Sequence, residues 1–238
     1  MNTELKIFFF VFLTLSLLQC EDKLEEVPEV PENATLDLPN SNPKIYRDVN
    51  EVTIRCPEAK VGERGTVQGK EYVVVTEETL RESVKIDADL TCFCTSLIQN
   101  MAGLFSNKKT FNQDISGWDT SNVTDMRRMF FYSALFNQGI GEWDTSSVTD
   151  MRGMFTYAFS FNQSIGGWNT AGVTLMGSMF EYAESFDQDL SDWCVDKIDN
   201  PPEHFSVGSP LSSDYQPFWG TCPPLQNAGR SIFWLIAL

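Results

Sequence analysis

Residues 111–135 read FNQDISGWDTSNVTDMRRMFFYSAL, residues 136–160 read FNQGIGEWDTSSVTDMRGMFTYAFS, and residues 161–185 read FNQSIGGWNTAGVTLMGSMFEYAES. The first two segments share 16 of 25 positions and the second two share 15. Self-similarity at a fixed short period marks an array whose units bury their apolar faces against one another. Upstream, in LTCFCTSLIQNMAGLFSNKKT, Phe93, Thr95, Ile98, Met101 and Phe105 fall in the slots of Trp118, Thr120, Val123, Met126 and Phe130. Downstream, Phe186, Gln188, Leu190 and Trp193 keep the pattern until Pro201 and Pro202 end it. Degenerate end units are what a stack requires, because an uncovered end would expose its apolar face. The expected architecture is one repeat solenoid of about five 25-residue coils, the two outer ones serving as caps.

Within a unit, Val123, Met126, Met129, Phe130 and Tyr132 follow a near-helical spacing, whereas ISGWDTSN carries the Gly, Asp, Asn and Ser of turns. The spacing predicts a short strand around NVTDM, one to two helical turns around RRMFFYSAL, and a turn-rich return through FNQDISGWD, hence an α/β coil. Thr120 or Ser121 is a candidate cap for the element that follows. Phe111, Ile115, Trp118, Val123, Met126, Met129 and Phe130 are expected to face inward, each contributing roughly 1.5–3 kcal/mol when fully buried.

The composition narrows the function. Hydrophobic residues at 42% and aromatic residues at 13% exceed what a wholly disordered chain carries. The 17 basic against 33 acidic residues give a net charge of −16, so phosphate backbones are repelled and nucleic acid is excluded as a partner. His204 is the single histidine, and there is no GxSxG, HExxH or Gly-rich phosphate loop. No catalytic constellation, metal site or cofactor is expected.

The N-terminus, MNTELK followed by the apolar run Ile7–Leu18, has the length of a signal-peptide core and is too short to span a bilayer. LSLLQC resembles the bacterial lipobox, with Gln19 where a small residue is usual; the resemblance implies lipidation of Cys20, and simple secretion is the alternative. The acidic, Pro-rich stretch that follows suits a solvated tether. It also resembles the acidic tract after the lipidated cysteine in exported surface lipoproteins of some Gram-negative bacteria. The expected organisation is a signal peptide over 1–20, tether over 21–50, N-terminal cap over 51–89, repeats over 90–200, C-terminal cap over 201–223 and an apolar tail over 224–238. Cysteine usage agrees with export. Cys194 and Cys222 bracket one Pro-rich segment and are expected to pair, and Cys56 pairs with Cys94 or Cys92 in the second expected bridge.

The units FNQDISGWDTSNVTDMRRMF and FNQGIGEWDTSSVTDMRGMF resemble the repeat of BspA-like leucine-rich repeat surface proteins, the mycoplasma-type lipoprotein repeat family of unknown function. VTIRCPEAKVGERGTVQGKEYVVVTEETLRESV is similar to that family's leading segment and WCVDKIDNPPEHFSVGSPLSSDYQPFWGTCP to its closing cap, so the likeness runs from Val52 to Pro223. Asn169, Leu175 and Gly177 depart from the acidic or polar residues usual at their slots, and LQNAGRSIFWLIAL lies outside the pattern. The resemblance implies a solenoid related to leucine-rich repeats, export to the cell surface, and adhesion or protein binding without enzymatic activity.

Two ladders are expected to be structural: Asn112, Asn137 and Asn162 at a turn, and Trp118, Trp143 and Trp168 in the core. The acidic rows Asp119/Asp144 and Asp125/Asp150 are interrupted by Asn169 and Leu175, which favours turn capping over a repeated cation site. If repeat-invariant residues hold the coils, specificity belongs to the slots that change. Arg127, Arg128, Phe131, Arg152 and Phe159 are the candidate binding residues, with Thr156, Glu181 and Glu184 at further variable slots. The expected function is surface recognition of a protein or glycan, and the alternative is a self-associating spacer. A lipid-anchored outer-membrane position and free secretion both remain open.

Overall fold

The Trp, Met and Val slots that recur once per unit, and nearly all of the Phe slots, are buried in the computed structural model, which describes residues 42–223. The signal peptide, Cys20, most of the tether and the apolar tail lie outside the described residues.

A small leading module precedes the stack. β1 (Tyr46–Arg47) pairs antiparallel with β2 (Ile54–Arg55). β3 (Arg64–Val67) and β4 (Lys70–Val74) form a hairpin through Gln68 and Gly69, both at positive φ, the backbone that a two-residue hairpin loop needs. α1 (Glu77–Lys85) starts at Thr76, whose hydroxyl accepts the Thr79 N–H at 3.0 Å. Glu77 and Glu78 in its first turn and Lys85 in its last complement the helix dipole. Asp87, at φ 54°, ends it. α1 carries the chain to β5 (Phe93–Cys94), which lies parallel to β4 with Val73 opposite Phe93. β5 then opens into the first coil.

From there the coils stack through parallel bridges at Asn100, Asp125, Asp150 and Leu175, one per unit. Between bridges the backbone alternates its partners. The N–H groups of Met126, Arg128, Phe130 and Tyr132 donate at 2.8–3.0 Å to Asp150, Arg152, Met154 and Thr156 carbonyls in the next coil. Those of Met129, Phe131 and Ser133 close turns on the carbonyls of Met126, Arg128 and Phe130 at 3.0–3.1 Å.

This alternation replaces the helical turns expected over residues 127–135. A helix sends every N–H four residues back, but here every second one has an acceptor in the neighbouring coil. Arg128 and Tyr132, at φ 53° and 58°, break the helical path. The strand expected around NVTDM contracts to the bridge at Asp125.

Two phenylalanine files fill the interior. Phe105, Phe130, Phe155 and Phe180 stack at 5.4–5.6 Å between coils, and Phe111, Phe136, Phe161 and Phe186 at 5.8–5.9 Å. The files touch within each coil at 3.9–4.0 Å. Phe111, the first of its file, is only partly buried, because the same slot one unit earlier holds the exposed Ile86 and no ring.

The C-terminal end changes register. Ser178 and Phe180 donate to Glu203 and Phe205, each one position farther along the chain than the pairing of Gly153 and Phe155 with Gly177 and Met179 would give. Phe205 turns 87° to meet Phe180 edge-on, and Trp219 meets Phe205 at 83°, so the parallel file stops. Cys194–Cys222 closes this last segment, and Cys56–Cys94 ties the leading module to the first coil. Of the two partners expected for Cys56, Cys94 takes the bond; Cys92 is not a free thiol.

Candidate functional site

The residues that repeat are committed to holding coil to coil. Trp118, Trp143, Trp168 and Trp193 are buried, and each indole N–H donates at 3.0–3.2 Å to a carbonyl of the preceding coil, those of Leu90, Ile115, Ile140 and Ile165. Thr95, Thr120, Thr145 and Thr170 form a buried file whose hydroxyls donate forward at 2.8–3.0 Å to the carbonyls of Asp119, Asp144, Asn169 and Cys194. Thr120 is therefore not a cap. Asp119 takes that role, its carboxylate accepting the Ser121 N–H at 3.1 Å and hydroxyl at 2.7 Å, because a short acidic side chain reaches the amide two residues ahead.

The amide ladder is exposed rather than buried. Asn112 Oδ1 accepts the Asn137 N–H at 2.9 Å, Asn137 that of Asn162 at 3.0 Å, and Asn162 that of Asp187 at 3.1 Å. Asp125 and Asp150 likewise accept the N–H groups of Arg127 and Arg152 at 2.9 and 3.0 Å. The Asn row ties each coil to the next, and the Asp row caps turns, each through a side-chain oxygen that accepts a backbone N–H.

What varies between coils gathers elsewhere. A groove of about 330 Å³ runs along the stack, lined by three adjacent slots followed through successive coils. One slot places Arg128, Gly153, Ser178 and His204 side by side, all at φ between 53° and 61°. The second places Phe131, Thr156 and Glu181; the third places Arg152, Gly177 and Glu203. Small residues make the floor, since Gly153, Thr156, Gly177 and Ser178 separate a cationic end from an acidic one. Thr156 is buried and donates its hydroxyl to the Ser178 carbonyl at 2.6 Å, which pins the floor.

At the cationic end the Arg128 guanidinium lies over the Phe131 ring, 5.5 Å from its centroid, and forms no ion pair among the described residues. Arg152 is held instead by Asp150, with Nη2 at 2.6 Å from Oδ2 and Nε at 3.0 Å from Oδ1. Burial acts to raise the Asp150 pKa, but the hydrogen bonds and charge of Arg152 outweigh it and hold the carboxylate below its ordinary range. At the acidic end His204 stands between Glu181, 3.4 Å from Nδ1, and Glu203, 3.8 Å from Nε2.

Three of the five candidate binding residues, Arg128, Phe131 and Arg152, therefore converge on the groove. Arg127 points to Asp125 at 3.8 Å, outside it. Phe159 packs edge-on against Tyr132 and Tyr157 at 5.8 and 6.0 Å in a neighbouring aromatic cluster. Sequence reasoning missed His204 and Glu203 as groove residues, because one inserted residue shifts them out of the repeat register. The signal was present in the slot sequence Gly103, Arg128, Gly153, Ser178, which continues to His204 once that insertion is allowed. Among the described residues, one group of side chains has metal-ligand spacing, Cys194, Asp196 and Cys222, and its two sulfurs are bonded to each other.

Residues 74–193 and, displaced by one repeat unit, residues 99–218 match the model of a protein family described as Mycoplasma protein of unknown function, DUF285. No curated protein and no solved structure matches the chain.

Proposed function

For a chain that belongs to the DUF285 family of Mycoplasma proteins of unknown function, we propose a non-enzymatic recognition module, displayed at the cell surface, that binds a protein or glycan through the variable slots of a repeat solenoid. The observation that carries this reading is the division of labour between slots. The residues common to the coils are used up by core packing and inter-coil hydrogen bonds, while Arg128, Phe131, Arg152, Glu181 and Glu203, which differ from coil to coil, share one groove. A stack needs no groove of mixed charge for its own stability, and specificity in stacked repeats belongs to positions free to vary.

Export is supported by the two disulfides, which persist in oxidising compartments. The apolar N-terminal run, Cys20 and the acidic tether support attachment to the surface as a lipoprotein, with free secretion as the other route. Kinship with BspA-like leucine-rich repeat proteins is supported by the repeat and cap sequences and by the parallel, one-bridge-per-coil stacking.

The test is adherence of cells or beads displaying the full chain to immobilised matrix proteins and glycans. An Arg128→Ser/Phe131→Ser/Arg152→Ser variant is expected to lose adherence, while deletion of residues 136–160, one whole unit, shortens the stack. Unchanged adherence in the triple variant together with a graded response to coil number would replace this reading with the structural spacer.

A further inference from the structure

The groove is bipolar, and its polarity lies along the stack. Arg128 belongs to the coil starting at Phe111, Glu181 to the coil starting at Phe161, and Glu203 to the segment after that. Two inter-coil steps at the spacing of hydrogen-bonded strands separate the levels of Arg128 and Glu181 by about 10 Å along the stack. A peptide in the polyproline II conformation rises about 3.1 Å per residue with three residues per turn, so side chains three positions apart lie on one side and span about the same distance. Resting on the recognition reading above, we propose that the groove binds a polyproline II segment of a protein partner that carries an acidic and a basic side chain three residues apart on one side. The acidic group sits on Arg128 and the basic group against the acidic end, beside Glu181 and Glu203.

Three observations point to this chemistry. Arg128 has no ion pair among the described residues, and its guanidinium is stacked on Phe131, which leaves its N–H edge free for a carboxylate. Glu181 and Glu203 have only His204 within ion-pair distance among the described residues, so two carboxylates share one imidazole and a negative charge is left over. Finally, Arg128 occupies a left-handed backbone slot that glycine fills at Gly103 and Gly153 in the flanking coils. The same slot takes Ser178 and His204 farther along the stack, so nothing in the fold requires an arginine there. A purely acidic ligand would meet Glu181 and Glu203, and a purely basic one would meet Arg128 and Arg152. Sugars that carry both charges at this separation are rarer than peptides that do.

The test uses the full chain and fluorescence anisotropy with four capped, labelled octapeptides: Gly-Gly-Glu-Ala-Ala-Lys-Gly-Gly and its Glu/Glu, Lys/Lys and Gln/Gln counterparts. The Glu/Lys peptide is expected to bind about tenfold or more tightly than the others, with salt weakening it. Arg128→Glu should remove that preference and transfer it to the Lys/Lys peptide, a gain that a misfolded variant could not produce. Arg128→Gly should weaken the Glu/Lys peptide alone, and Lys197→Ala, a charge removed outside the groove, should change nothing. Equal binding of all four peptides, or no change of preference in Arg128→Glu, overturns the inference. Binding of an immobilised glycan at the groove, sensitive to Phe131→Ser and not displaced by the Glu/Lys peptide, overturns it while leaving the recognition reading intact. Absence of any peptide binding, with adherence unaffected by the triple variant, overturns both.

Discussion

The indole N–H of Trp143 donates to the carbonyl of Ile115, one coil away, at 3.2 Å, and the same bond recurs at Trp118, Trp168 and Trp193. The ring is 3% exposed, so neither partner of this bond can turn to water instead. The tryptophan row is thus a packing element and a hydrogen-bonded strut at once. Replacing Trp143 by Phe keeps most of the apolar volume and removes one of the two hydrogen bonds to the Ile115 carbonyl, which still accepts the Trp118 N–H at 3.1 Å. It should cost about 1 kcal/mol, and Trp143→Ala about 3–5 kcal/mol, both read from urea unfolding. A Phe variant as stable as the parent would show that the bond is not felt.

Arg128 and Gly153 occupy one slot in successive coils with φ of 53° and 61°. An L side chain at such a backbone costs roughly 1 kcal/mol that glycine does not incur. Arg128→Gly should therefore hold or raise the melting temperature, while Gly153→Arg should lower it. The Cβ added at Gly153 would lie 3.2 Å from Thr156 Oγ1 and 3.3 Å from Arg128 Cγ, so the second change adds crowding to strain.

Acid should loosen the Asp150–Arg152 pair. The folded state holds the Asp150 pKa below its ordinary value of 3.8, so the folded chain binds that proton less readily than the unfolded one. Stability from this pair is present above 3.8 and is lost as pH falls through the lower folded value. Asp150→Asn retains an oxygen for the Arg152 N–H and removes the titration. Denaturant unfolding followed between about pH 5 and pH 2 should show a shallower loss in the variant.

Removing Cys194–Cys222 by a double Ser substitution frees a loop closed across a separation of 28 residues and should cost about 3–4 kcal/mol in the chain-entropy treatment. The loss should appear first at the C-terminal end, because Phe205 and Trp219 cover the last phenylalanine edge-on and have no further coil behind them. Hydrogen exchange should accelerate at Ser178, Phe180 and Tyr182, whose N–H groups donate into that segment, while Met126 and Phe130 stay protected. Uniform acceleration along the stack would show that the coils unfold only as one unit.

Translation by one unit was legible from FNQDISGWDTSNVTDM onward, because a repeat writes the same apolar slots into every unit, and like side chains one coil apart can only stack or be exposed. The inward faces of Ile115, Trp118, Val123, Met126 and Phe130, the Cys194–Cys222 bond and the turn character of the acidic rows all follow from residue type and spacing within one unit or one loop. Residues 127–135 show the limit of that reading. Val123, Met126, Met129 and Phe130 are spaced as on a helix, but whether an N–H bonds within its own turn or crosses to the next coil depends on an acceptor almost a full unit away in sequence. The groove depends on such distant placement even more. Arg128, Arg152, Glu181 and His204 come from four successive levels of the stack, and one extra residue before His204 turns a broken repeat into a shared wall. Chemistry that recurs at a fixed period can be read along the chain, whereas contacts among non-equivalent slots exist only once the coils are stacked and their side chains brought within reach.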